Sequence, residues 1–404
     1  EDMAMLKELA ERELYSGMGT NAAGVVLTSS PDEFNRLVPL AYMPNRDGFV
    51  TQYSKDYIEA LGLVKLDVLG SKTLTVMKRC MDNLEIPVAM LDEIEFGDAA
   101  TYALMRSGKT EGIFQMEGKS TKWGCTDLKP THIKDVIAAM ALFRPAVMNN
   151  GNTKDYIERK HKRREIPTRH ELLTEVTKPT YGVLLYQEQV IDMLRGLGME
   201  AEDLTKFLKA VKASNKDIGR AGEVIKEYQE WISQRCEERG FTDEDRRFLD
   251  EAIAGFAEYG FNRAHATVYG ITAYRCAYLA VHHPVEFHAA LLAVAAGDKK
   301  EKGYLAITRR RGVSVRAPHV NVSGATYTVD KERNVIRKGL VSVHGVGEKS
   351  AGAVSALAPF RDLKDLVERV PSKPVSGGSD FDGSAESLCG VLGALRDAGA
   401  LSGL

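Results

Sequence analysis

The chain has 404 residues, 27% of them charged and 44% hydrophobic, with a formal net charge of -2 at pH 7. That length allows about two to four domains, and the near-neutral balance excludes a globally basic nucleic-acid binder, so any polyanion site must come from local clustering. No apolar run approaches the roughly 20 residues that span a bilayer and no basic-then-apolar leader opens the chain; Cys80, Cys125, Cys236, Cys276 and Cys389 lie far apart without Cys-x-x-Cys spacing, which points to a reducing cytoplasm.

Residues 1–15 read as an amphipathic helix in mid-course, as if the sequence began inside a longer polypeptide. Gly17, Gly19 and Gly24 surround a turn, and residues 23–28 form a β-branched strand that stops at Ser29-Ser30-Pro31-Asp32. In Leu61-Gly-Leu-Val-Lys-Leu-Asp-Val-Leu-Gly70, period-two alternation predicts a strand with Val64, Leu66 and Val68 on a buried face. Lys65 and Asp67 then share the opposite face. A carboxylate held beside an ammonium in a mostly apolar setting is a costly place for an idle charge, although a partly buried ion pair at a sheet edge is the common alternative. With residues 49–53 these segments give one small sheet over 15–70.

From Ser71 to about Ala296 the pattern is helical with a 3.6 period, broken by Pro and Gly, and one large helical domain fits best. Lys206, Lys209, Lys212, Lys216 and Arg220 recur every three or four residues, so they share a helix face suited to a duplex backbone or to solvent. Arg159-Lys-His-Lys-Arg-Arg164 is a denser cluster, again suited to phosphates. The adjacent His282 and His283 project in different directions without a third spaced ligand, so they read as packing residues before Pro284. Beyond Asp298 the chain is irregular; Arg309-Arg-Arg311 and Arg316 lead into strand-like residues 325–329 and 337–343. Val343-His-Gly-Val-Gly-Glu-Lys-Ser-Ala351 fits a helix-hairpin-helix, with Gly345 and Gly347 in the hairpin and Lys349 opening the second helix, an arrangement that points backbone N–H groups at a phosphate. Residues 371–384 are loop-like, and residues 387–399 form a closing helix with Gly399 near its cap.

Seven segments in order resemble the bacterial DNA polymerase III alpha subunit, a C-family replicative DNA polymerase. They are Gly19-Thr-Asn-Ala-Ala-Gly-Val-Val-Leu27, Ser71-Lys-Thr-Leu-Thr-Val-Met77, Thr101-Tyr-Ala-Leu-Met-Arg-Ser-Gly108, Ile113-Phe-Gln-Met-Glu-Gly118, Ala141-Leu-Phe-Arg-Pro145, Tyr181-Gly-Val-Leu-Leu-Tyr-Gln-Glu-Gln-Val190 and Tyr259-Gly-Phe-Asn-Arg-Ala-His-Ala266. Each alone is weak, but the ordered set runs nearly continuously from Gly17 to Gly347. The resemblance implies a mainly α fold with small β elements (α+β): the end of a palm over 1–70, helical fingers over 71–297, a connector over 298–338 and a helix-hairpin-helix module over 339–404.

By the same resemblance, Asp67 is the third metal-binding carboxylate of a two-magnesium site for nucleotidyl transfer, and Lys65 lies beside the nucleotide. Arg263 would meet the phosphates of the incoming dNTP, with Asn262 and His265 orienting its sugar or phosphates. Arg144 precedes a proline, so its side chain leaves an element end toward a cleft and makes a nucleotide or template contact. Gln115, Glu117, Gln187 and Glu188 sit in the matching motifs, either stitching helices together or touching substrate. Arg159, Lys160, Lys206, Lys209, Lys212, Lys216, Gly345, Gly347 and Lys349 are the expected duplex contacts.

The family's Asp-x-Asp pair does not occur between Glu1 and Leu66, so Asp67 is an incomplete site by itself. The expected partners are primer–template DNA, dNTPs, an N-terminal polymerase segment, a sliding clamp and replisome proteins. The phosphatase-like opening domain is not in this sequence, which predicts no proofreading or pyrophosphatase activity here. The rival reading is a non-catalytic DNA-binding accessory protein derived from polymerase fingers; a nucleotide-hydrolysing regulator is disfavoured because Gly345 to Ser350 lacks the spacing of a phosphate-binding loop.

Overall fold

The computed structural model describes residues 23–43, 48–68, 70–144, 148, 151–213, 218–258, 261–370 and 385–403. The opening helix over 1–15 and the loop over 371–384 lie outside these residues. The described chain is mainly α with small β elements. It divides into two compact units, 1–72 and 73–404.

In the first unit the order is β1 (Gly24–Leu27), α1 (Pro31–Leu37), β2 (Leu40–Met43), β3 (Gly48–Thr51), α2 (Lys55–Ala60) and β4 (Val64–Asp67). Two antiparallel ribbons stand where one sheet was expected. β1 pairs with β4, placing Gly24 opposite Asp67 and Val26 opposite Lys65; β2 pairs with β3, and the opposed Tyr42 and Phe49 rings meet edge-on at 5.4 Å. The apolar face of β4 is not the buried one expected, and on the other face only Lys65 is drawn inward, since Asp67 is 49% exposed. Val64 and Leu66 are 56% and 46% exposed, as are their partners Leu27 and Val25 at 50% and 48%, whereas the Lys65 side chain is only 14% exposed. A two-stranded ribbon has no second sheet to cover both sides, so period-two patterning marks two faces without saying which is buried.

The second unit opens with α3 (Lys72–Leu84), α4 (Ala99–Arg106), α5 (Lys119–Leu128), α6 (Ile133–Leu142) and α7 (Asn152–Lys160). It continues with α8 (Glu171–Thr177), α9 (Gln187–Gly196), α10 (Ala201–Ala213), α11 (Ile218–Glu238), α12 (Asp243–Glu258), α13 (Arg263–His282) and α14 (Pro284–Ala295). Between Ala266 and Ala280 α13 buries one side in the core, while Val268 is exposed and Arg275 pairs with Asp92. Its buried positions are mostly small: Ala266, Gly270, Ala273, Cys276 and Ala277. A Cβ on Gly270 would lie 2.9 Å from the Ile137 Cα, so α13 and α6 cross at backbone contact. The Tyr274 hydroxyl donates to the Glu95 carbonyl at 3.1 Å and accepts from the Asp98 N–H at 2.9 Å, fixing the entry to α4, where Asp98 accepts from the Thr101 N–H.

Helices α3–α7, α13 and α14 enclose one apolar cluster, and α8–α12 enclose another around Leu173, Met193, Phe207, Ile232 and Leu249. The stretch expected as one helical domain thus carries two cores. Next come α15 (Glu301–Arg310), β5 (Val315–Arg316), β6 (Thr328–Asp330), β7 (Val335–Arg337), α16 (Glu348–Leu357), α17 (Leu363–Arg369) and α18 (Ala385–Asp397). β7 lies between β5 and β6. The strand expected over 337–343 instead ends at Arg337, because Gly339 crosses the Thr326 backbone so closely that a Cβ would sit 2.3 Å from its carbonyl carbon, and the chain turns into a 3-10 helix at Leu340–Ser342.

His288 in α14 is fully buried, and neither ring nitrogen has a hydrogen-bond partner. Burial, helped by the charge of Arg311, pulls its pKa down to about 3. The unfolded chain binds that proton near the ordinary value of 6.5, so stability is unaffected above about pH 7 and falls by up to about 1.4 kcal/mol per pH unit below 6. Denaturant titrations at pH 7.5 and 5 should show this loss in the parent chain and a smaller one in His288→Leu.

Candidate functional site

The loop over 109–118, the end of α6 and the start of α13 enclose a cavity of about 250 Å³ whose lining includes Gln115, Phe143, Arg144, Phe261, His265 and Tyr269. The loop is held by its own polar groups. Thr110 Oγ1 donates to the Met116 carbonyl at 2.6 Å, and one Glu117 carboxylate oxygen accepts from the Gly112 N–H at 2.8 Å and the Tyr304 hydroxyl at 2.6 Å. Burial raises the Glu117 pKa, but Tyr304, the Gly112 N–H and Lys300 together outweigh it and hold the carboxyl below its usual range. Glu117 therefore ties the loop to α15. Gln115 takes φ 57 in this tight loop, an uncommon conformation for a residue with a side chain, and has no hydrogen-bond partner among the described residues.

Arg144 emerges just past α6, as its place before Pro145 led us to expect. Its guanidinium lies 4.7 Å from the centroid of Phe261, and no carboxylate pairs with it among the described residues. The His265 ring meets Phe261 edge-on at 5.3 Å and lies 3.9 Å from Tyr269, which in turn meets Phe114 at 5.0 Å. The result is a half-open recess with aromatic walls, one unpaired guanidinium and one free amide. Planar rings and oxyanions suit such a lining.

Arg263 and Asn262 are not among the cavity-lining residues. Asn262 Oδ1 caps α13 by accepting from the His265 N–H at 2.7 Å, and the Arg263 guanidinium leans on Tyr186, 5.4 Å from its ring, and toward Asp192 at 3.9 Å. Both Glu188 carboxylate oxygens accept from the Arg263 N–H at 2.9 Å, the Gln187 N–H donates to the Phe261 carbonyl at 3.0 Å, and Tyr186 forms a parallel bridge with Phe261. Residues 186–188 thereby clasp 261–263 and set where His265 points. Spacing along the sequence carries no trace of a clasp between segments 75 residues apart. Tyr259 lies outside the described residues.

Two of the expected phosphate contacts are corrected. The Arg159 side chain is 8% exposed and donates to Asp155 at 2.9 Å and to the Tyr181 and Gly182 carbonyls. Lys160, also 8% exposed, reaches Asp135 at 3.1 Å and the Leu128 and Lys129 carbonyls that end α5. Arg163 and Arg164 pair with Glu158 and Asp155. Arg159, Arg163 and Arg164 are thus consumed by acids four to nine residues upstream, a signal present in the sequence, and Lys160 by an acid 25 residues upstream. Lys206 pairs with Glu202 at 3.0 Å while Lys209 is exposed; Lys216 and the side chains of Lys212 and Arg220 lie outside the described residues. His282, expected as a packing residue, instead faces the Asp98 carboxylate at 3.1 Å.

The hairpin has the geometry its glycines suggest. Gly345 takes φ 87, Gly347 caps α16 and Lys349 is exposed at its start, while Val343 and Val346 are buried beneath. At the end of β4, Lys65 Nζ donates to Asp67 Oδ1, and Asp67 is 49% exposed. Its carboxylate is accessible and oxygen-rich, the donor type magnesium takes. Among the described residues there is no group of three or more His, Cys, Asp or Glu side chains that could hold a metal. No described helix is long and apolar enough to cross a membrane.

Comparison with known proteins gives three domain matches: the bacterial DNA polymerase III alpha NTPase domain at residues 3–70, the bacterial DNA polymerase III alpha subunit finger domain at 73–239 and a helix-hairpin-helix motif at 312–378. Proteins named DNA polymerase III subunit alpha are similar over most of the chain. The one from Aquifex aeolicus is 33% identical over 93% of this chain and 33% of its own length. That from Caulobacter vibrioides is 34% identical over 90% and 31%, and that from Bacillus subtilis 33% over 88% and 32%. The chain spans about a third of the length of these curated relatives.

Proposed function

Because the chain belongs to the family of bacterial DNA polymerase III alpha subunits, we propose that it supplies the dNTP-binding and primer–template-binding part of a template-directed DNA polymerase. The observation that carries this reading is the aromatic recess with the unpaired guanidinium of Arg144 at its wall. In the proposal Phe261, His265 and Tyr269 offer ring faces to the nucleotide, Arg144 meets its charged oxygens, and the Glu188 clasp holds Asn262, Arg263 and His265 in register. The Gly345–Gly347 hairpin and Lys349 grip the duplex backbone without reading sequence.

Asp67 would hold magnesium, which when bound neutralises charge on the triphosphate and activates the primer hydroxyl. Lys65 would orient the Asp67 carboxylate, to which its Nζ donates, and would lie near the nucleotide. The working environment is the cytoplasm, with a sliding clamp and replisome proteins as partners. That no Asp-x-Asp pair occurs between Glu1 and Leu66 favours one rival, a non-catalytic DNA-binding accessory factor.

Primer extension separates the two. The chain is mixed with a polymerase segment that supplies the Asp-x-Asp carboxylates, in magnesium and all four dNTPs. Extension that needs both components, with the dNTP KM raised about tenfold by Arg144→Ala, is the expected result, since a charge-assisted contact is worth about 1.5–3 kcal/mol. A mixture that stays inactive while still binding primer–template would establish the accessory role instead.

A further inference from the structure

The solvent face of α15 carries charges of one sign only. Glu301 is turned inward, accepting from the Tyr327 hydroxyl at 2.7 Å and the Gly297 N–H at 2.9 Å. Tyr304 reaches Glu117 and Thr308 is fully buried. Arg311, just past the helix, also turns inward, donating to the Lys109 carbonyl at 2.5 Å and lying 3.6 Å from Glu111. What remains outside is Lys302, Gly303, Ala306, Arg309 and Arg310, all exposed, with spacings of three and four that place them on one helical face.

No acid stands on this face. Among the described residues none of the Lys302, Arg309 and Arg310 side chains has a hydrogen bond or ion pair, in contrast to the cluster over 159–164, where Arg163 and Arg164 have their own carboxylates. Three like charges gathered on one exposed face with no carboxylate between them favour an anionic partner. Gly303 and Ala306 add no bulk between them, and a Cβ on Gly303 would meet nothing within 4 Å. From Lys302 to Arg310 the face is about 12 Å long, over which one strand of a duplex presents roughly three to four phosphates.

We propose that this face of α15 is a second duplex contact, docking on the sugar–phosphate backbone of DNA. It rests on the duplex-binding part of the function proposed above and extends it to a helix outside both the recess and the hairpin. In the chain it directly precedes the helix-hairpin-helix match that begins at residue 312, so one continuous stretch would carry both backbone grips. Docked on the sugar–phosphate backbone rather than on base edges, the face contributes affinity and salt dependence and no sequence preference.

The test is the affinity of the chain for a labelled DNA duplex, measured by fluorescence anisotropy over a series of salt concentrations. The variant Lys302→Gln/Arg309→Gln/Arg310→Gln is compared with Lys78→Gln/Lys134→Gln/Lys178→Gln, which removes the same charge from exposed lysines on other elements. Circular dichroism checks that both remain folded. The α15 variant should bind at least about tenfold more weakly and lower the slope of log K against log salt by about 2–3, at about 0.9 per lost phosphate contact, while the control changes neither. An unaltered slope in the α15 variant, or an equal fall in the control, overturns the proposal. A parent chain that binds no duplex overturns the primer–template reading as well.

Discussion

Asp67→Asn should abolish primer extension by the complemented chain, a fall of about 10³-fold or more, while changing primer–template affinity by less than about twofold. A carboxylate that holds a catalytic divalent ion contributes several kcal/mol of charge stabilisation to the transition state, and about 4 kcal/mol corresponds to that factor. Asparagine keeps the size and one oxygen but loses the charge. The side chain is half-exposed at the end of a short ribbon, so the substitution removes little packing. A merely structural Lys65–Asp67 pair makes a different prediction: Lys65→Met and Asp67→Asn would then behave alike, since each breaks the same contact. If Asp67 is a metal ligand, Lys65→Met leaves measurable extension with a raised dNTP KM and Asp67→Asn leaves none. Equal residual activity in the two variants would remove Asp67 from the chemistry.

How far the sequence could be read depended on how local the determining interactions were. Helices α4 and α18, closed by Gly108 and Gly399 at positive φ, and the hairpin with Gly345 were legible because their signals lie within a few residues. So was the place of Arg144 at an element end, which follows from a proline beside it. The burial of β4 was not legible, since alternation separates two faces and only the layer packed on one of them decides which is dry. Nor was the fate of Arg263: its clasp by Glu188 and its lean on Tyr186 join segments far apart in sequence. Counting cations over 159–164 missed Asp155 and Glu158 on the same helix, whereas α15 has no such acids on its outer face. The lesson is physical: a basic run predicts a polyanion contact only after the carboxylates within one or two turns have been subtracted.

The Asp135–Lys160 pair should be the most sensitive point of the α-helical core. Asp135 is fully buried; it accepts from Lys160 at 3.1 Å and from the Thr131 N–H at 2.9 Å, while Lys160 also satisfies the Leu128 and Lys129 carbonyls that α5 leaves unpaired. Removing one partner strands the other charge away from water. Asp135→Ala is therefore expected to destabilise the fold by about 3–5 kcal/mol, whereas Asp135→Leu/Lys160→Met, which removes both charges, should recover part of that loss. Recovery should be incomplete, because the two carbonyls at the end of α5 still lose their donor at about 1–3 kcal/mol. Denaturant titrations of the three variants measure the order directly. A phosphate-binding Lys160 would behave in the opposite way: Lys160→Met would weaken duplex binding and barely touch stability. Unchanged stability in Lys160→Met, with a shallower salt dependence of duplex binding, would return Lys160 to the DNA interface.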